Sequence, residues 1–162
     1  MGTGKSVVGK QLAQRLNRPF IDLDRQIEKK AGRPVREIFV RDGEAAFRKL
    51  ETAAVGEAAA LKEHVIATGG GVMCDESNVE ALKASGTLVC LTASADAILE
   101  RTATTLASRP LLAGADPKQR IEGLLKLRAP FYAKADITID TGGRTPQQVV
   151  EEILCKLETF KP

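Results

Sequence analysis

Gly2-Thr3-Gly4-Lys5-Ser6, at the start of the chain, constrains the fold more than any other segment. It is the second half of the pattern G-x-x-x-x-G-K-[ST]. Without Cβ atoms in the way, successive backbone N–H groups converge on one anion. Val8, Leu12 and Leu16 follow at i, i+4 spacing and predict an amphipathic helix over 5–16. The positive end of that helix faces the same anion. Lys5 then supplies a charge to the β- and γ-phosphates of a nucleotide, and Ser6 an oxygen to Mg²⁺. Such a loop sits between a strand and a helix, which points to a layered α/β fold. The pattern's first glycine falls two residues before Met1. A strand entering the loop is therefore expected on that side, with its turn about ten residues long, in the middle of the sheet.

The rest of the chain alternates short apolar runs with helical patterns. Residues 19–22, 65–68, 87–92 and 137–140 are apolar without strict alternation, as strands of a buried parallel sheet are. Helices are predicted over 44–62, from Asp75 to Ala84, over Ala95–Arg101 behind a Ser94 cap, over Pro117–Lys126, and from Pro146 behind a Thr145 cap. The 162 residues suit one domain. A net charge of +3 and 4% aromatic residues, with no Trp, argue against a nucleic-acid partner. No apolar run is long enough to span a bilayer, so no membrane partner is expected either. Cys74, Cys90 and Cys155 are widely spaced and form no metal or disulfide pattern, which suits a reducing cytoplasm; buried apolar packing is their default. His64 stands alone, which removes Ser-His-Asp chemistry.

Asp22 and Asp24 end the first apolar run, and two residues apart on extended chain they point the same way. One suits Mg²⁺ and the other an acceptor hydroxyl; alternatively, Asp24 caps a helix over 25–30. Gly69-Gly70-Gly71 follows Thr68 as either a ligand-approaching loop or a tight turn. Arg109-Pro110 lies in the loop-like stretch 102–116, where an arginine would stabilise a transferring phosphoryl group. Arg128 precedes Pro130, which is expected to stop its helix, and a projecting guanidinium suits a substrate carboxylate.

The segments GTGKSVVGKQLA, PFIDLDRQIE, GEAAFRKLE, ATGGGV, RPLLAG, RAPFY and DTGGRTP, in this order and spacing, resemble the shikimate kinase family over nearly the whole length. The resemblance implies the P-loop kinase fold of nucleoside monophosphate kinases. This is a three-layer α/β/α arrangement around a parallel sheet of order 2-3-1-4-5, whose first strand is the one expected before Gly2. It implies ATP-dependent phosphorylation of the 3-hydroxyl of shikimate, in the pathway to chorismate and aromatic amino acids. Gly2, Thr3, Gly4, Lys5, Ser6 and Val7 match the ATP loop; Val7 replaces the family's usual Thr or Ser but keeps its N–H. Asp22 matches the carboxylate that reaches Mg²⁺ through water. Asp24 matches the residue that binds the shikimate hydroxyls and acts as base. Arg48 and Arg128 match the clamp on the shikimate carboxylate, and Glu51 the residue that holds Arg48. Gly69, Gly70 and Gly71 match a loop offering backbone donors to the substrate. Arg109 matches the lid arginine, and Arg144 and Pro146 the adenine side, with Arg101 loosely aligned to the other adenine face. The implied organisation is one kinase domain over 1–162, with a substrate-binding subdomain over 24–62, a lid over 102–116, and a monomeric state. Two other readings remain: a gluconate- or nucleotide-kinase-like enzyme with the same phosphate loop, and a non-catalytic ligand-sensing module of the same fold.

Overall fold

The computed structural model describes residues 2–108, 111 and 116–160. Helix α1 (Lys5–Arg15) starts directly behind Gly4, whose φ of 87° is left-handed and suits only glycine at low cost. Its buried face carries Val8, Leu12 and Ala13. Gly9 lets α1 approach strand β1 (Phe20–Asp22), since a Cβ there would come 2.8 Å from the Phe20 ring.

Chain direction changes abruptly after β1. Asp22, not Asp24, caps helix α2 (Leu23–Ala31), its side chain accepting from the Arg25 N–H. Asp24 lies inside the first turn, where its negative charge faces the positive end of the helix dipole. The extended geometry expected to align the two carboxylates is therefore absent, and it is the strand-to-helix turn that brings them together. Gly32, left-handed at φ 66°, ends α2.

Helix α3 (Val35–Ala59) begins well before the predicted 44–62 and ends earlier. It is broken at Gly43, where φ 83° and ψ 169° interrupt the helical path. Beyond the break Phe47, Glu51, Ala54, Val55 and Ala58 form one buried stripe at helical spacing. Strand β2 (Val65–Ala67) leads through the three glycines into a 3₁₀ turn over Val72–Cys74. Helix α4 (Glu76–Ser85) is capped by Asp75. Strand β3 (Val89–Thr92) precedes helix α5 (Ala95–Thr102), capped by Ser94 as predicted. Helix α6 (Pro117–Tyr132) runs through Pro130 rather than stopping before it. The missing proline N–H falls in the last turn, which the Ala133 N–H closes onto the Ala129 carbonyl at 3.0 Å. Strand β4 (Ile137–Asp140) and helix α7 (Pro146–Thr159) complete the chain, with the predicted Thr145 cap present as a reciprocal capping box with Gln148.

β1 pairs in parallel with β2, Ile21 opposite Ile66; β3 pairs in parallel with β4, Leu91 opposite Ile139. These are the two outer pairs of the expected 2-3-1-4-5 order, and among the described residues no strand joins them. Between the inner strands β2 and β3 lies an apolar cavity of about 350 Å³, walled by Leu12 and Leu16 of α1, Ile66, Leu91, and Ile153 and Leu157 of α7. One core packs α2, α3 and α4 around Leu23, Ile38 and Phe47. A second packs α1 and α7 against β4 around Val8, Ile139 and Val150. Ile139 is fully buried there. Ile139→Ala is expected to destabilise the fold by about 2–5 kcal/mol, read as a lowered urea midpoint.

Default burial of the cysteines does not hold. Cys74 and Cys155 are exposed and Cys90 is half-buried, all three free. Cys155 follows Leu154 on α7 and falls on the face opposite the buried Val149, Val150 and Ile153. No described helix is long and apolar enough to cross a membrane.

Candidate active site

The C-terminal ends of β1 and β2 and the N-terminus of α1 open onto one pocket of about 490 Å³, lined by Gly2 through Val8, Asp22, Asp24, Thr68, Gly69 and Gly70. Its far wall is formed by Arg101, Thr102, Thr141, Arg144, Pro146 and Val149. Parallel α/β sheets gather binding groups at this end of their strands. Gly2 is left-handed at φ 64°, and a Cβ there would press on Ile98 and Thr102 at 2.9 Å. The Thr3 hydroxyl is buried and has no hydrogen-bond partner among the described residues. Val7 points outward, 53% exposed, leaving its backbone as its contribution.

Ser6 Oγ donates to Asp22 Oδ2 at 2.5 Å, while Asp22 Oδ1 accepts from the Arg25 N–H at 3.3 Å. One carboxylate thus caps α2 and meets the phosphate-loop hydroxyl. Among the described residues no three His, Cys, Asp or Glu side chains gather at a point. A hydroxyl and a carboxylate in contact are nonetheless a hard-oxygen pair suited to Mg²⁺, which takes few protein ligands and completes its shell with phosphates and water.

Asp24, more exposed than Asp22, lies beside the glycine run. A Cβ on Gly69 would sit 2.6 Å from Glu51 Oε1 and 3.1 Å from Asp24 Oδ1, and one on Gly71 would overlap the Arg48 guanidinium. These two positions need glycine for space rather than for backbone angle. Arg48 Nη1 donates to Glu51 Oε2 at 2.6 Å, and its Nη2 to Glu44 Oε1 at 2.8 Å. Glu51 is 1% exposed and its Oε1 has no hydrogen-bond partner among the described residues. Burial pushes the Glu51 carboxyl up, Arg48 and Arg128 oppose that, and the Asp24 charge adds to it. For Arg48 burial pulls the other way, but its bonds to Glu44 and Glu51 win and hold it above the ordinary arginine value. Arg128 is 7% exposed, just before the last turn of α6. Gly71, Arg48 and Arg128 do not line the phosphate pocket; they adjoin it through Gly69, Glu51 and Asp24.

At the far wall Arg101 Nη1 donates to Thr141 Oγ1 at 2.8 Å and Nη2 to the Thr141 carbonyl at 2.6 Å. The loosely aligned Arg101 is thus placed on the pocket with Arg144 and Pro146, and Arg144 pairs with Glu152. Arg109 and most of the 109–115 segment lie outside the described residues. Sequence reasoning missed Thr141, Glu44 and Tyr132. Thr141 stands in the quoted DTGGRTP segment and Tyr132 in RAPFY, so both were within view; only the tertiary fold shows what they touch.

A glycine–lysine–serine loop that opens a helix beside the ends of parallel strands, with two aspartates on the same pocket, defines a P-loop phosphotransferase of small molecules as the class. The family model described as "Shikimate kinase" matches residues 1–158. The chain belongs to the shikimate kinase family. A shikimate kinase of Caldanaerobacter subterraneus subsp. tengcongensis is 50% identical over 154 residues, covering 95% of this chain and 90% of that one. The solved structure of shikimate kinase from Acinetobacter baumannii in complex with shikimate superposes with a TM-score of 0.94 at 38% identity, covering 98% of this chain and 89% of that chain. A gluconokinase from Sinorhizobium meliloti, at 20% identity and a TM-score of 0.60, shares the fold alone.

Proposed function

We propose that the protein transfers the γ-phosphoryl group of ATP to the 3-hydroxyl of shikimate, giving shikimate 3-phosphate and ADP in aromatic amino acid biosynthesis. The observation that carries this is the meeting of Asp24 with the phosphate loop in one pocket, while buried Arg128 and half-buried Arg48 stand next to it around Glu51. A hydroxylated carboxylate needs both halves of that arrangement: a base for the hydroxyl and cations for the acid. A nucleotide acceptor shares the phosphate loop but has no carboxylate for two arginines beside Asp24; a sugar acid does have one, and the acceptor assay below separates it from shikimate.

In the transfer, the acceptor oxygen bonds to the γ-phosphorus and the bond from that phosphorus to the β-phosphate oxygen breaks. The hydroxyl proton passes to Asp24 and then to solvent. Lys5 and the N–H groups of residues 2–7 hold the phosphates and stabilise the charge that develops on them. Backbone N–H groups of Gly69–Gly71 position the acceptor, and Arg48 and Arg128 fix its carboxylate. Arg101, Arg144 and Pro146 form the adenine side. Ser6 and Asp22 would hold one Mg²⁺, Asp22 through water, and the ion would supply neutralisation of phosphate charge. The protein works as a monomer in the cytoplasm.

ADP release, followed by a coupled assay, is expected to require shikimate and to be negligible with gluconate or a nucleoside monophosphate as acceptor. Release with one of those acceptors and not with shikimate overturns the proposal. Intact binding with no release supports the sensing module instead.

A further inference from the structure

Tyr132 belongs to no part of the chemistry described so far, yet its hydroxyl reaches the acceptor end of the site. Its Oη donates to the Gly70 carbonyl at 2.8 Å, across 62 residues of chain. Arg128, one turn earlier on α6, is close enough for its charge to act on the same phenol. The phenol is largely buried, and burial pushes it upward against the opposing pull of Arg128, so it keeps its proton at neutral pH.

The glycine run gives this contact its meaning. Three consecutive residues without side chains cannot anchor themselves by packing, and each carries a large conformational entropy. Their far side is crowded: Glu51 and Asp24 stand where a Gly69 Cβ would be, and Arg48 where a Gly71 Cβ would be. Local backbone bonds run from Val72 N–H to Gly69 O at 3.4 Å and from Cys74 N–H to Gly71 O at 2.9 Å. The Gly70 carbonyl takes no part in those; its partner is the tyrosine. A peptide plane held at its carbonyl is also held at the N–H of the next residue, here Gly71.

We infer that Tyr132 is a positioning residue for the acceptor: its hydroxyl ties the Gly70–Gly71 peptide to α6, the helix that carries Arg128, so that backbone donors and carboxylate-binding arginine are presented in one fixed geometry. This rests on the proposed acceptor roles of Arg128 and Gly69–Gly71. Gly70 also lines the phosphate pocket, but its carbonyl is engaged by Tyr132, and Tyr132 itself does not line that pocket, so the larger effect falls on the acceptor.

Tyr132→Phe keeps the ring and removes the tie. It is expected to raise the KM for shikimate about tenfold, the size of one lost hydrogen bond with its carbonyl left unpaired. The KM for ATP and the urea midpoint should move far less. Placing 4-aminophenylalanine at position 132 restores a donor and is expected to recover most of the loss, which a purely packing role would not produce. An unchanged KM for shikimate in Tyr132→Phe, or equal rises for both substrates, overturns the inference. If Arg128→Ala raises the KM for shikimate while Tyr132→Phe does not, the acceptor site stands and only the role of Tyr132 falls. If Arg128→Ala has no such effect, the acceptor site itself is wrong and this inference falls with it.

Discussion

Asp24→Asn is expected to lower kcat by about 10²- to 10⁴-fold, the usual contribution of a positioned general base. The substitution is isosteric, and the amide still fills the space beside Gly69 and Glu51. What it loses is the ability to take a proton from the acceptor hydroxyl. The folding cost is small by comparison. Asp24 stands in the first turn of α2, where a negative charge contributes about 0.3–1 kcal/mol through the helix dipole. Its removal also relieves the repulsion that Asp24 exerts on buried Glu51. Steady-state rates at saturating ATP and shikimate, with a urea midpoint for the same preparation, separate the two effects. Near-normal turnover would remove Asp24 from the chemistry.

Arg128→Ala carries the second large effect. Truncating one member of a buried charged set costs about 2–5 kcal/mol in binding, or roughly a 30- to several-thousand-fold rise in the KM for shikimate. The KM for ATP should stay close to its original value, because Arg128 does not line the phosphate pocket. Glu51 responds as well. Arg128 is one of two cations opposing the upward push of burial on its carboxyl, so without Arg128 that carboxyl rises further. A carboxyl whose folded pKa lies above its unfolded value makes the folded state lose stability as pH rises from the ordinary carboxylate range through the raised pKa. The variant should therefore lose more stability over that window than the parent, seen as a steeper fall of the urea midpoint between acid and neutral pH. Equal losses for ATP and shikimate would refute the assignment of Arg128 to the acceptor.

Motif chemistry confined to a few neighbouring residues was readable without coordinates. Gly2–Ser6, the Ser94 and Thr145 caps and the apolar runs at 65–68, 87–92 and 137–140 depend on local geometry alone; each run holds a strand, though the first stops before Thr68 and the second starts only at Val89. Errors arose where two local signals compete. At Asp22–Asp24 the strand gives way to a helix within one residue, so period-2 reasoning ran one step too far. At Pro130 a helix-breaking residue sits so close to the natural end of α6 that little remains for it to break. The half-helix before Gly43 was missed because Gly43 divides the pattern, leaving a short segment rich in charge. The partners of Arg101 and Tyr132 were not legible at all. Thr141 is 40 residues from Arg101 and Gly70 is 62 from Tyr132, so only the folded path brings them together.

The two strand pairs share α1, which packs on β2 on one side and on α7 on the other. β1 and β2 carry Asp22 and the glycine run; the turn after β4 carries Thr141 and Arg144. Packed on both, the helix is an axle common to the two pairs. Lys5 and Ser6 sit at the end of that axle. Any change in how α1 seats on β2 or on α7 therefore moves Lys5 and Ser6 relative to acceptor and adenine alike, so alignment of the two substrates is registered through this one helix.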